Sequence, residues 1–356
     1  MTVHGLGIDA FSRNYNDFPT TISEQVESLE IVVHPENASL ARDRLRNASL
    51  YLLLTAIAAL LMGTGLAWWF AILSSHERRF LRLPALSTST RRLRSLAIIL
   101  ATAILFLLFQ WASFELGCLE TAEVQPSGTG RTWRLVYQLT LLALLVVATA
   151  IDFDCYMIPD SITLPGTLIG LLGATIIGEV QICHLWVDWS VAIPQLRGPY
   201  IPGWYDAHRN LHGLAWSLAG LITGAGLTWS ARQISSLVLG QEAMGTGDVT
   251  LMAMIGSFLG WQATILVFLV APLLGLTMGV FIRMVSGKTF LPYGPWLSIG
   301  AAVVLFNWGR LWEQTRLIFS DWLSIATLGG VGSVGFVTLL ALVQLYKSIP
   351  ARNRST

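Results

Sequence analysis

Long apolar stretches separated by short charged ones run through most of the chain, and the positions of charge mark where one stretch ends and the next begins. A membrane-crossing helix needs about 20 mostly apolar residues to traverse roughly 30 Å of hydrocarbon. Uncharged runs that meet or approach this length cover residues 50–72, 96–114, 135–151, 162–178, 211–231, 291–309 and 324–346. The stretch 249–282 carries no charge for 34 residues. As one helix it would extend about 51 Å, too long for a single crossing. Gly260 and Pro272 are the available break points, and the run is predicted to form a short helix, 249–260, and a full one, 261–282. The expected fold is all-α, a polytopic membrane helical bundle of about eight or nine transmembrane segments.

Composition sharpens this picture. Hydrophobic residues make up 54% of the 356 and charged residues 12%, against roughly 45–50% and about 25% in a soluble domain. A soluble chain of this length needs a charged shell that is missing here, which excludes soluble enzymes and secreted modules. The net charge of +1 gives no bias toward nucleic acid. Cys118, Cys155 and Cys183 make neither a disulfide framework nor a CxxC metal pair. The first 49 residues have no apolar core, so no cleavable signal peptide is expected.

Basic residues set the orientation. Arg78, Arg79, Arg82, Arg91, Arg92 and Arg94 cluster after the first run, which places that loop in the cytoplasm and the amino terminus outside. Nine crossings then put Arg283, Lys288, Lys347, Arg352 and Arg354 inside as well. The expected organisation is a polar, extracytoplasmic tail over 1–49, whose 38–49 part could lie as a basic helix on the membrane. Residues 50–134 hold two transmembrane helices with the Arg-rich cytoplasmic loop. Residues 135–310 form a core with an extracytoplasmic loop at 181–210, and 311–356 a last transmembrane helix and basic tail. Trp68, Trp69, Trp111, Trp186, Trp189, Trp204, Trp308 and Trp322 fall near span ends, where indole suits the interface.

Four aspartates stand at the ends of apolar runs: Asp152, Asp154, Asp160 and Asp248. A charge there is costly unless it is solvated or useful. Asp152 closes the third span and Asp248 opens the run after the fifth. Two crossings separate them, so both reach the cytoplasmic face although they are 96 residues apart in sequence. Paired carboxylates at one level are what aspartic proteolysis requires, since one oxygen takes a proton from water while the other donates to the scissile carbonyl. Gly245 and Gly247 flank Thr246 just before Asp248, and glycine allows a substrate backbone to approach closely.

The stretch Ile151-Asp152, with Ile158-Pro159-Asp160-Ser161-Ile162-Thr163-Leu164-Pro165-Gly166 after it, resembles the first aspartate motif of type IV prepilin peptidases. Glu242-Ala243-Met244-Gly245-Thr246-Gly247-Asp248 is similar to their GxGD segment, and Leu291-Pro292-Tyr293-Gly294-Pro295 to a downstream motif. Three ordered motifs over about residues 135–300 carry the resemblance. It implies a catalytic pair at Asp152 and Asp248, supported by Gly245, Gly247, Asp160 and Asp154. The implied reaction removes the basic leader from prepilins or pseudopilins at the cytoplasmic face of the inner membrane. The partners implied are those substrates and the lipid bilayer, with no nucleic acid, no cofactor and no metal. Many family members also carry an amino-terminal domain with paired CxxC motifs that methylates the product. Neither pair occurs here, so peptidase without methyltransferase is expected. Thr250 stands where family members often have Lys.

Other residues have structural readings beside the functional ones. Asp160 or Ser161 is expected to cap the fourth span, with Pro165 tolerated in its first turn. Asp154 is expected to be solvated. Cys155 has no neighbouring His to activate it. His208 and His212 are one turn apart but on the opposite face from the aspartates. Other functions remain open at this point: a proton-coupled transporter, a presenilin-like protease, or an inactive homologue serving assembly.

Overall fold

The computed structural model describes residues 35–84, 87–186, 203–240, 244–286 and 292–348. Contacts divide the chain into two units, Met1–Tyr51 and Leu52–Thr356. In the first, Pro35 onward is helical. The predicted tail at 1–34, the 187–202 part of the 181–210 loop, Glu242, Ala243, Lys288, Leu291, Arg352 and Arg354 lie outside the described residues, as do the side chains of Arg283 and Lys347. So do the side chains of the expected surface helix at 38–49, whose backbone is helical.

The described residues form ten helices and no strand: α1 (Pro35–Phe80), α2 (Thr88–Phe114), α3 (Gly128–Cys155), α4 (Asp160–Ile177), α5 (Trp204–Ala207), α6 (Arg209–Leu239), α7 (Thr246–Ser286), α8 (Gly294–Phe306), α9 (Trp308–Ser320) and α10 (Trp322–Ser348). The all-α expectation holds. Their boundaries follow local chemistry. Ser87 and Ser127 cap α2 and α3 by accepting from the amides of Thr90 and Gly130, which satisfies donors that a helix start leaves open. Left-handed residues end α3, α4 and α6: Tyr156, Gly178 and Gly240. Pro165 is the sixth residue of α4, inside the helix and beyond its first turn.

The number of spans differs from the expectation. Among the described residues five helices are long and apolar enough to cross, Thr55–Phe80, Thr88–Phe114, Gly128–Cys155, Asp160–Ile177 and Thr246–Gly279. A sixth appears if the bent pair Trp308–Ser320 and Trp322–Thr338 counts as one. Eight or nine crossings are therefore not confirmed. Two departures account for much of the difference. The apolar run at 291–309 is broken, since α8 spans 13 residues and stops at Asn307, and the run at 211–231 is diluted by buried polar residues of α6 such as His212, Ser217 and Thr228.

The predicted break at Gly260 is present. Its backbone takes φ 75° and ψ 171° within α7, a conformation open to glycine and strained for other residues. A Cβ there would also overlap the indole nitrogen of the fully buried Trp216. A break inside an apolar bundle frees carbonyls that lipid cannot satisfy. Here side chains from neighbouring helices reach them. Ser217 donates to the Ser257 carbonyl at 2.6 Å. The Tyr137 hydroxyl lies 3.0 Å from that same oxygen and 2.8 Å from the Gly170 carbonyl, so α3 is tied to α4 and α7.

The pair α6 and α7 packs most intimately. A Cβ on Gly220 would overlap the carbonyl of Gly256, and one on Gly256 the carbonyl of Gly220. Small residues let helix backbones approach in lipid, where van der Waals packing replaces the hydrophobic effect between helices. Trp308 departs from its predicted interfacial place: it is fully buried, stacks on Trp312 and donates to the Ile182 carbonyl at 2.9 Å. Trp68, Trp111 and Trp322 are exposed, as the interfacial reading expected. Gly220→Ala should destabilise the bundle by about 1–3 kcal/mol through overpacking. Gly226→Ala on the same helix, which meets open space, should leave stability unchanged or slightly raised. Equilibrium unfolding in mixed micelles would compare the two.

Candidate active site

Several helix ends converge on one cavity of about 770 Å³. The last turn of α3 supplies Asp152, the connection to α4 supplies Tyr156 to Pro159, and the start of α4 supplies Asp160 and Ser161. Met244 to Asp248 line it from the approach and first turn of α7, Pro292 and Tyr293 from the approach to α8, Arg232 from α6 and Glu77 from α1. Asp152 and Asp248 thus share one cavity. Asp160, Gly245 and Gly247 line it too.

Both carboxylates are held mostly out of water, Asp152 at 4% exposure and Asp248 at 8%, and they interact electrostatically. Each has a glycine backbone beside it, Gly294 at Asp152 and Gly245 at Asp248. Asp248 sits in the first turn of α7, where open amides favour an anion. The α3 chain turns away just past Asp152 because Tyr156 adopts φ 55° and returns its N–H to the Asp152 carbonyl at 2.9 Å. Glycine at 247 lets the α7 start lie against that turn, since a Cβ there would meet the Ile158 carbonyl at 3.0 Å and its Cβ at 3.1 Å. Gly245 is exposed and unforced: a Cβ would stand 3.8 Å from the Asp248 carboxylate. The arrangement can hold a water and a peptide carbonyl between two acid–base groups. Among the described residues no cluster of three or more His, Cys, Asp or Glu could hold a metal.

Residues 139–280, which include both aspartates, match the model of the type IV leader peptidase family. The likeness covers less than half of the chain. Prepilin leader peptidase/N-methyltransferases are similar to the chain: that of Pseudomonas putida is 28% identical over 198 residues, 55% of this chain and 57% of the relative. The Aeromonas salmonicida protein is 31% identical over 180 residues, 50% of each, and that of Pseudomonas aeruginosa 30% over 194 residues, 54% and 56%. The chain spans about half the length of the curated relatives it matches. No solved structure shows a significant match.

Several expectations about the site need correction. Asp160 does not cap α4. Pro159 occupies the cap position without a side-chain bond, while Asp160 and Ser161 are exposed at the cavity. Asp160 instead accepts from Thr250 at 3.4 Å, and Thr250 also bonds the Gly247 carbonyl at 3.1 Å. Asp154 is not solvated. Its side chain is 1% exposed and pairs with Arg78, at 2.7 Å, and with Arg94, and it does not line the cavity. Arg78 further donates to the Pro84 carbonyl at 2.9 and 2.7 Å. Two arginines assigned only to topology thus clamp the α1–α2 connection onto the end of α3. Cys155 is buried and stands outside the cavity lining. His212 is buried and accepts from the Leu185 amide at 3.1 Å, while His208 is exposed at the start of α6. In the described part of the 181–210 loop, the carbonyls of Ile182, His184 and Leu185 accept from Trp308, Gln262 and Trp261.

Glu77, Arg232 and Tyr293 line the cavity without having been singled out as site residues. For Tyr293 and Gly294 a signal existed in the Pro-Tyr-Gly-Pro motif; for Glu77 and Arg232 there was none. Asp154→Ala leaves two guanidinium groups without their shared partner. It should lower stability by about 2–3 kcal/mol, less than the ~3–5 of a fully buried pair because Arg94 reaches water. Asp152→Asn should change it by less than about 1 kcal/mol. Denaturant titration of the lipid-embedded protein would separate the two adjacent aspartates.

Proposed function

We propose that this chain is a membrane-embedded aspartic endopeptidase in which Asp152 and Asp248 activate water. The observation that carries the reading is that these two buried carboxylates, 96 residues apart in sequence, line one cavity. Neighbouring carboxylates resist double ionisation and share a proton. One then accepts a proton from water as the other donates to the carbonyl oxygen of the scissile peptide, and the roles exchange as the tetrahedral intermediate collapses. Gly245 leaves one wall open to an extended substrate backbone, and Asp160, bonded by Thr250, lines the cavity.

The substrate class is the prepilin or pseudopilin, cut between its basic leader and its apolar segment at the cytoplasmic face of the inner membrane. Support comes from the family match over 139–280 and from relatives named as prepilin leader peptidases. A proton-relay transporter is less well supported, because Asp152 and Asp248 lie at helix ends and not in mid-span.

Purified protein in lipid should remove the leader from a prepilin, with the cut located by mass spectrometry. Asp152→Asn and Asp248→Asn should each reduce turnover by about 10³-fold or more, and the double variant should lose little beyond either single one, since the pair acts as a unit. With a methyl donor supplied the product should stay unmethylated, as the sequence holds no CxxC pair. Turnover that survives in either variant, or no cleavage of any of several prepilins, would reject the reading.

A further inference from the structure

We propose that Gly294 is a positioning residue for Asp152, its missing side chain leaving the only room in which that carboxylate can face Asp248. The inference rests on the dyad reading above and deepens it. Gly294 opens α8, with Tyr293 at the cap and Pro295 next. The amides of Trp296 and Leu297 turn back onto the Tyr293 carbonyl at 3.0 and 3.3 Å, and Pro295 has no amide hydrogen. The Gly294 backbone lies against the Asp152 carboxylate. The start of a helix favours negative charge, and here it is applied to one oxygen pair at the far end of another helix.

The fit is tight. A Cβ on Gly294 would stand 2.5 Å from Asp152 Oδ2, 3.3 Å from its Cγ and 2.6 Å from Ile158 Cδ1. Oδ2 and Cδ1 are ends of side chains that line the cavity, so the chain can accept a methyl group by turning them. The yielding group would be the Asp152 carboxylate itself, which would leave its present position. By contrast, a Cβ on Gly275, where α7 faces the same α8, would make ordinary contact with Trp296 at 3.4 Å.

Gly294→Ala should lower kcat by about 10²-fold, the scale of an ångström-sized misplacement of a reacting group. KM should stay within about twofold, because the rest of the cavity is untouched, and Gly275→Ala should keep wild-type turnover. A merely structural glycine would lose fold and activity together. If Gly294→Ala fails to fold, Ile158→Ala added to it removes one of the two overlaps, and this double variant should fold yet remain as slow. Carbodiimide labelling of carboxyl groups, read by mass spectrometry, tests the placement without any substrate. Asp152 should label several-fold faster in the Gly294→Ala protein while Asp248 changes by less than about twofold. A Gly294→Ala enzyme within about threefold of wild-type kcat, or unchanged labelling of Asp152, would overturn the proposal. If the wild type cleaves no prepilin, the protease reading fails on its own and the labelling alone decides the role of Gly294.

Discussion

Two carboxylates buried in an apolar bundle need polar groups around them and a path to water, and helix ends supply both. The cavity at the ends of α3 and α6 and the starts of α4, α7 and α8 meets this constraint. Ends bring unpaired backbone amides, and the backbones of Gly245 and Gly294 lie beside Asp248 and Asp152 respectively. The same ends supply the turns whose glycines let chain segments touch. Burial of Asp152 and Asp248 thus follows from the meeting of helix ends, with charge and backbone arranged together.

That meeting depends on the packing beneath it. Gly220 and Gly256 bring α6 and α7 to backbone contact, which fixes where the start of α7 lies. The break at Gly260 then opens a space for Trp216 and exposes carbonyls that Ser217, Tyr137 and Gln138 reach from α6 and α3. Polar side chains in the apolar interior thereby satisfy the backbone of a broken helix, a need that lipid cannot meet. The result ties α3, which carries Asp152, to α7, which carries Asp248.

Asp152 and Asp154 show how two neighbouring residues diverge. Both lie in the last turn of α3 and both are buried. Asp152 faces the cavity and another carboxylate, whereas Asp154 faces Arg78 and Arg94. Rotation of about 200° around the helix axis separates the two side chains, which is enough to place them on different faces.

The sequence by itself determined the all-helical membrane character and the break at Gly260, and it marked Asp152 and Asp248 as polar ends of apolar runs. These depend on hydropathy and on the conformational freedom of glycine, both of which are readable along the chain. Only the tertiary structure decided that Asp152 and Asp248 line one cavity, what Asp154 and Asp160 touch, that a side chain at 294 would meet Asp152, and that α8 is too short to span. Arg78 and Asp154 are 76 residues apart, and whether they meet depends on the rotation and tilt of each helix. The start of α8 likewise acquires its meaning from Asp152 on another helix. Periodicity reports which face of a helix is apolar, but the partner on that face is set by packing between helices distant in the chain.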